Sequence, residues 1–204
     1  MLDKIYWLGH SSIKIKGDKT VYIDPWKLRD SDPADLILIS HSHGDHLSLG
    51  DVEKIHKDDT VIVTTEDCAA QLSGDVRVVK PGDEIQVGEI KIEAVPSYNT
   101  NKAFHPRQNN WLGFIINMEG SRIYYCGDTD FIPEMKEIEA DIMIVPVGGT
   151  YTMTAEEAAE AVNLIKPGIS IPVHYGDIVG SIKDAKKFKA LCEVPVEIKA
   201  PRDK

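Results

Sequence analysis

The stretch Asp35-Leu36-Ile37-Leu38-Ile39-Ser40-His41-Ser42-His43-Gly44-Asp45-His46 opens with four consecutive apolar residues and ends in six that hold three histidines and an aspartate. A strand with one wetted face alternates apolar and polar residues. A run without alternation suits a strand covered on both faces, as in a sheet flanked by helices. The polar cluster therefore falls at a strand's carboxyl end, where ligand sites collect in α/β architectures. Imidazole nitrogen and carboxylate oxygen suit Zn, Mn or Fe, whereas calcium takes oxygen ligands almost throughout. His41 and His43, two apart, point the same way from extended backbone, and Gly44 permits the turn that brings Asp45 and His46 round. A polar loop that holds these four groups by chance fits poorly with what proteins bury.

Working outward, Lys4–Leu8, the alternating Ser12–Ile15 and Thr20–Ile23 read as an antiparallel meander with Gly17-Asp18 as a turn. Downstream, Leu49–His56 and Glu66–Leu72 read as helices around a strand at Val61–Val63. Strands follow at Val76–Val79, Glu84–Val87, Glu89–Val95, Trp111–Asn117 and Arg122–Tyr125. The second half repeats the first. Asp141–Val145 is again a buried-type strand, and it ends in Gly148-Gly149-Thr150. Thr154 with Glu157 has capping-box spacing and opens a helix that stops before Pro167. A strand over Ile169–Val173 ends at His174, a helix covers Ser181–Leu191, and Val194–Ile198 reads as a last strand. The expected fold is α/β, with two similar mixed sheets packed together and helices outside, formed by residues 1–204 as one domain.

With 42% hydrophobic and 27% charged residues over 204 positions, collagen-like and wholly disordered classes are excluded. Asp and Glu outnumber Lys and Arg 33 to 23, so at a net charge of -10 the average surface repels a phosphate backbone, and nucleic acid is not expected as a partner. No segment approaches the ~20 apolar residues of a membrane span, and the opening residues read as unexported, so no membrane partner and a cytoplasmic location are expected. Cys68, Cys126 and Cys192 are widely spaced and lack a CxxC, which argues against disulfides or a thiolate cage. A small-molecule substrate is the expected partner, and homo-oligomerisation is left open.

His41-Ser42-His43-Gly44-Asp45-His46 resembles the HxHxDH signature of the metallo-β-lactamase superfamily. The resemblance implies a four-layer αβ/βα sandwich holding one or two divalent transition metals, zinc first, with manganese or iron as alternatives. It implies that His41 and His43 serve one metal and Asp45 and His46 a second. Cys126-Gly127-Asp128-Thr129 looks like the segment of the bridging aspartate and nominates Asp128. Pro172-Val173-His174-Tyr175 resembles the segment of the last ligand and nominates His174. Trp7-Leu8-Gly9-His10-Ser11, Ile23-Asp24-Pro25-Trp26 and Pro146–Met153 are similar to the branch related to ascorbate-phosphate lactonases. That likeness implies that His10 lines the site and that Asp24 orients a metal-binding histidine. His10 also reads as a plain turn residue. The family's usual further histidine is missing near Val95–Asn99, and His105 stands six residues on, open to reading as a substitute ligand, a substrate contact or an exposed residue.

Pro96–Asn110 has no apolar periodicity, and loops of that length are usually functional or disordered. It holds Lys102, His105 and Arg107 in an otherwise acidic chain. Such cations near a metal would attract an anionic substrate. Thr150 beside its two glycines could contact an oxyanion or phosphate, and Tyr98 or His10 could assist a leaving group. A metal lowers the pKa of water from 15.7 towards about 7 and polarises the oxygen under attack. The expected function is hydrolysis of a small anionic ester, lactone or phosphodiester, with Asp45 and His10 as catalytic residues. A metal-binding sensor or scaffold without turnover and an RNA-processing metallo-nuclease are the alternatives.

Overall fold

In the computed structural model, residues 1–29 and 32–201 form two six-stranded mixed sheets with helices around them. The first sheet runs β1 (Ile5–Gly9), β2 (Ser12–Lys16), β3 (Thr20–Ile23), β4 (Leu36–Leu38), β5 (Val61–Thr64) and β6 (Asp75–Val78), each beside the next. Its first three strands are the antiparallel meander, and β3 to β6 are parallel. The second sheet takes β7 (Glu84–Val87), β8 (Ile90–Pro96), β9 (Leu112–Met118) and β10 (Ser121–Tyr125) antiparallel. It then adds β11 (Ile142–Pro146) and β12 (Ile169–Val173) parallel. The helices are α1 (Leu49–Ile55), α2 (Glu66–Ala69), α3 (Ala155–Ile165) and α4 (Ile182–Leu191).

The register shows why Leu36–Ile39 does not alternate. Tyr22, Ile37 and Ile62 lie side by side across β3, β4 and β5 and pack with Val52 and Ile55 of α1. Ile23, Leu38 and Val63, one position on, join the large core shared with Phe114, Ile116 and Ile144 of the second sheet. Both faces of β4 are thus buried, and each large side chain there contributes roughly 1.5–3 kcal/mol. In α3, Ala158, Ala161 and Val162 form the buried stripe. Thr154 caps it, its hydroxyl accepting from the Glu157 amide at 3.2 Å while Glu157 accepts from the Thr154 amide at 2.8 Å.

Two expected elements differ. Among the described residues, Val194–Ile198 forms only an isolated bridge, Val196 to Ser170, because Pro195 has no amide proton to extend a ladder. The helix read over Glu66–Leu72 covers only Glu66–Ala69. No described helix is long and apolar enough to cross a membrane.

The sheets place chemistry at one end. His10 follows β1, the His41–His46 segment follows β4, Asp128 follows β10 and His174 follows β12.

Candidate metal centre

Three buried imidazoles converge with the same orientation logic. His41 Nδ1 meets Ser40 Oγ at 2.9 Å, His46 Nδ1 meets Asp24 Oδ2 at 2.7 Å, and His105 Nδ1 meets Asn99 Oδ1 at 3.0 Å. An acceptor at Nδ1 holds the proton there and leaves the Nε2 lone pair free, the usual arrangement behind metal-ligating histidines. The Nε2 atoms of His46 and His105 lie 3.4 and 3.3 Å from Asp128 Oδ2. Both nitrogens, and Asp128 Oδ1, are buried without a hydrogen-bond partner. Buried polar atoms are nearly always satisfied, so orphaned acceptors aimed at one point fit a missing cation.

Two ligand groups surround Asp128. His41, His43 and His105 form one, with His41 Nε2 and His43 Nδ1 3.1 Å apart. His10, Asp45, His46 and His174 form the other. Asp128 lies between them, with His174 Nε2 at 3.0 Å from its Oδ2, and groups with His41 and His46. The long loop therefore brings His105 beside His41, His43 and Asp128. Its anchor is Asn99, whose amide donates to the His105 carbonyl at 2.7 Å and whose Oδ1 accepts from the His105 amide at 2.9 Å.

Asp24 is fully buried and accepts from the Ser40 amide at Oδ1 (2.7 Å). Its Oδ2 takes the Ser40 hydroxyl at 2.6 Å, the Tyr125 hydroxyl at 2.6 Å and His46. Ser40, Tyr125 and Asn99 are supports that sequence reading missed, since each becomes visible only once two strands or loops meet. Trp111 is a fourth. Its ring lies 4.8 Å from that of His41 and 4.7 Å from that of His43, and its indole N–H donates to Asp67 at 3.0 Å.

Three site residues have left-handed backbone, His10 at φ 49°, Asp24 at φ 46° and His174 at φ 58°. Such conformations are costly outside glycine and cluster at functional sites. The His10 carbonyl fixes two of the surroundings, accepting from the His174 amide and the Trp7 indole at 2.8 Å each. Gly148 permits the approach of His174, because a Cβ there would lie 2.3 Å from the His174 carbonyl oxygen.

Electrostatics follow burial and charge. Burial holds His41 well below the ordinary imidazole range, so it stays neutral. Burial acts the same way on His46, but the Asp128 and Asp24 carboxylates outweigh it and push His46 well up, so a metal ion taken up at Nε2 would displace a proton there. Asp128 would be raised by burial, yet His174 and His46 hold it well down. Asp45 likewise overcomes burial through His10 and His46 and is lowered to about 2. Its Oδ2 lies 3.0 Å from His10 Nε2.

The remaining expected substrate contacts lie elsewhere. Lys102 is spent on Asp130 at 2.6 Å, and Arg107 on Glu134 at 2.8 Å while it lies over the Tyr98 ring. The Tyr98 hydroxyl also donates to Glu134, at 2.9 Å. Thr150 is exposed on a tight turn, its amide donating to the Gly148 carbonyl at 3.1 Å. None of these four lines the cavity of about 200 Å³ above the cluster, whose floor is His43, Asp45, His105, Asp128 and His174. Lys102 and Arg107, expected to hold an anion, each have a carboxylate partner here, and neither lines that cavity.

Two mixed sheets with a His/Asp cluster fit for metal at their shared strand ends define a protein of the αβ/βα sandwich class. The chain belongs to the metallo-β-lactamase superfamily, its residues 4–174 matching the family model described as Beta-lactamase superfamily domain. It is 36% identical over 213 residues to a UPF0173 metal-dependent hydrolase of Thermoplasma acidophilum, covering 92% of this chain and 90% of that protein. A second such hydrolase, from Archaeoglobus fulgidus, is 33% identical over 208 residues, covering 91% and 89%. A solved protein of Parabacteroides distasonis superposes with a TM-score of 0.87 at 36% identity, over 96% of this chain and 91% of that one.

Proposed function

We propose that this hydrolase uses one or two divalent transition metals, zinc first and manganese or iron as alternatives, to hydrolyse a small ester, lactone or phosphodiester. His41, His43 and His105 would hold one ion, Asp45, His46 and His174 the other, with Asp128 between them. The observation that carries the reading is the set of imidazoles tied back at Nδ1, two of which, His46 and His105, aim an orphaned Nε2 at Asp128. When bound, the metal supplies an acidified water and polarises the oxygen under attack.

The chain's own residues do the rest. His10 Nε2 fixes one oxygen of Asp45, which stays ionised at neutral pH because its pKa is lowered to about 2. The carboxylate faces the cavity, where it can accept a proton from the attacking water and return it to the leaving group. His10 itself is fully buried, so its part is to position Asp45. Such proton transfer by a positioned group contributes roughly 10²–10⁴-fold. A lactone is favoured by the likeness of the His10, Asp24 and Pro146–Met153 segments to ascorbate-phosphate lactonases.

The test is elemental analysis of protein purified without chelator, with a screen of lactones, phosphodiesters and thioesters, repeated on Asp45→Asn. Turnover that falls at least about a hundredfold in the variant, with metal still held by the His41/His43/His105 group, is expected. Metal-replete protein silent on the whole panel would favour a sensor or scaffold instead.

A further inference from the structure

The wall of the cavity above the metal cluster is built of Phe104, Tyr151 and Ile178. Phe104 is 47% exposed and Ile178 49%; five other large apolar side chains are about as exposed, but none of those lines this cavity. Exposed apolar side chains that meet at one place mark a binding surface more often than scattered ones do. The Phe104 and Tyr151 rings meet edge to face at 4.7 Å and 88°. Their backbones share one support. The Asn99 side chain donates to the Tyr151 carbonyl at 2.9 Å and to Asp130 at 3.1 Å, and its oxygen accepts from the amide of His105, next to Phe104. The aromatic wall is thus preorganised with the metal cluster.

Among the described residues, no lysine or arginine lines this cavity. Beside Lys102 and Arg107, Lys27 is also engaged, at 3.1 Å from Asp177 and over the Trp26 ring at 3.9 Å. An anionic substituent would find no counter-charge on the wall and would lose water against two aromatic rings and an isoleucine. At about 200 Å³ the cavity is below the usual range of roughly 300–1,000 Å³ for drug-sized ligands.

Resting on the hydrolase reading, we propose that the substrate carries a compact, uncharged apolar substituent beside the scissile bond, seated on Phe104, Tyr151 and Ile178. These side chains set specificity by contact with that substituent. Differences of one or two apolar groups discriminate by roughly 10–200-fold.

Three lactones with the same ring test this: γ-butyrolactone, γ-phenyl-γ-butyrolactone and 5-oxotetrahydrofuran-2-carboxylate, which carry hydrogen, phenyl and carboxylate at one carbon. The metal-loaded wild type is expected to prefer phenyl to carboxylate by at least about tenfold in kcat/KM. In the double variant Phe104→Ser/Ile178→Ser the phenyl-to-hydrogen ratio should fall at least about tenfold, mainly through KM. Ile178→Lys, a single change at a half-exposed position, should swing preference towards carboxylate. A wild type that prefers carboxylate, or ratios unmoved by both variants, would overturn the proposal. Binding of benzyl alcohol, read by saturation-transfer NMR, needs no turnover. Silence on every lactone with benzyl alcohol bound by wild type and lost in the double variant would leave the apolar wall standing and count against the lactone reading alone. Equal benzyl alcohol signals in wild type and variant would sink the wall.

Discussion

Replacing Asp24 by Asn changes one atom and tests how the centre is held. Both residues tolerate left-handed backbone, so the φ of 46° is not itself a confounding cost. The carboxylate has four donors on two oxygens: the Ser40 amide on Oδ1, and the Ser40 hydroxyl, Tyr125 hydroxyl and His46 Nδ1 on Oδ2. An amide offers one oxygen. If its NH2 takes the Oδ2 place, the hydroxyls can turn, Tyr125 to the Ser11 carbonyl at 3.2 Å. The imidazole cannot turn, so its proton moves to Nε2 and removes the lone pair aimed at Asp128. Loss of such a support typically weakens metal binding 10–100-fold, or about 1.4–2.7 kcal/mol. If the NH2 instead faces the Ser40 amide, His46 keeps its tautomer, but a buried backbone N–H goes unpaired at a cost of about 1–3 kcal/mol of fold stability. Chelator competition reads the first outcome and urea unfolding of the metal-free protein the second. At least about 1 kcal/mol is expected in one or the other. A variant unchanged in both to within about 0.5 kcal/mol would refute the claim that a carboxylate is needed there.

Asp35 ties β3 to β4, its Oδ2 accepting from the Thr20 amide at 2.8 Å and its Oδ1 from Lys57 at 2.9 Å. Burial would raise it, but Lys57, Thr20 and Lys19 lower it from 3.8 to about 2. Its stabilisation is therefore complete above about pH 4 and lost as pH falls through about 2; Asp35→Asn should cost about 1–2 kcal/mol at pH 7 and nearly nothing at pH 2 in urea unfolding. Gly148→Ala should shift His174, given the 2.3 Å contact to its carbonyl, and lose about 1–3 kcal/mol of stability, seen as a lowered melting temperature with weakened metal retention. His105→Ala should lose metal from the His41/His43/His105 group first, so that calorimetric titration shows one step weakened by at least about tenfold. Two equal tight steps in that variant would remove His105 from the ligand set.

Much of the fold was readable because local patterns and tertiary demands agree. Alternation in Ser12–Ile15, its absence in Leu36–Ile39 and the Thr154/Glu157 box each have a single structural solution, and the structure has β2, β4 and α3 there. The failures have equally local causes. Val194–Ile198 has strand-like composition, but Pro195 denies it an amide where a ladder would need one.

The centre divides along a different line. His41, His43, Asp45 and His46 are visible because a single turn delivers them, so spacing alone carries the geometry. His105 and Asn99 are joined by a loop closed through Asp130, some thirty residues on, and no pattern within the loop announces that closure. The same distance hides the partners of Lys102 and Arg107. Counting charges along a chain finds cations, whereas the energy of a cation depends on its partners. Asp130 and Glu134 follow Asp128 on one segment, so the fold that brings Asp128 to the cluster also brings the two carboxylates that take up the loop's cations. Anchoring the loop that carries His105 and lining the cavity with charge are thus competing uses of the same lysine and arginine. With both committed to anchoring, the wall is left to Phe104, Tyr151 and Ile178.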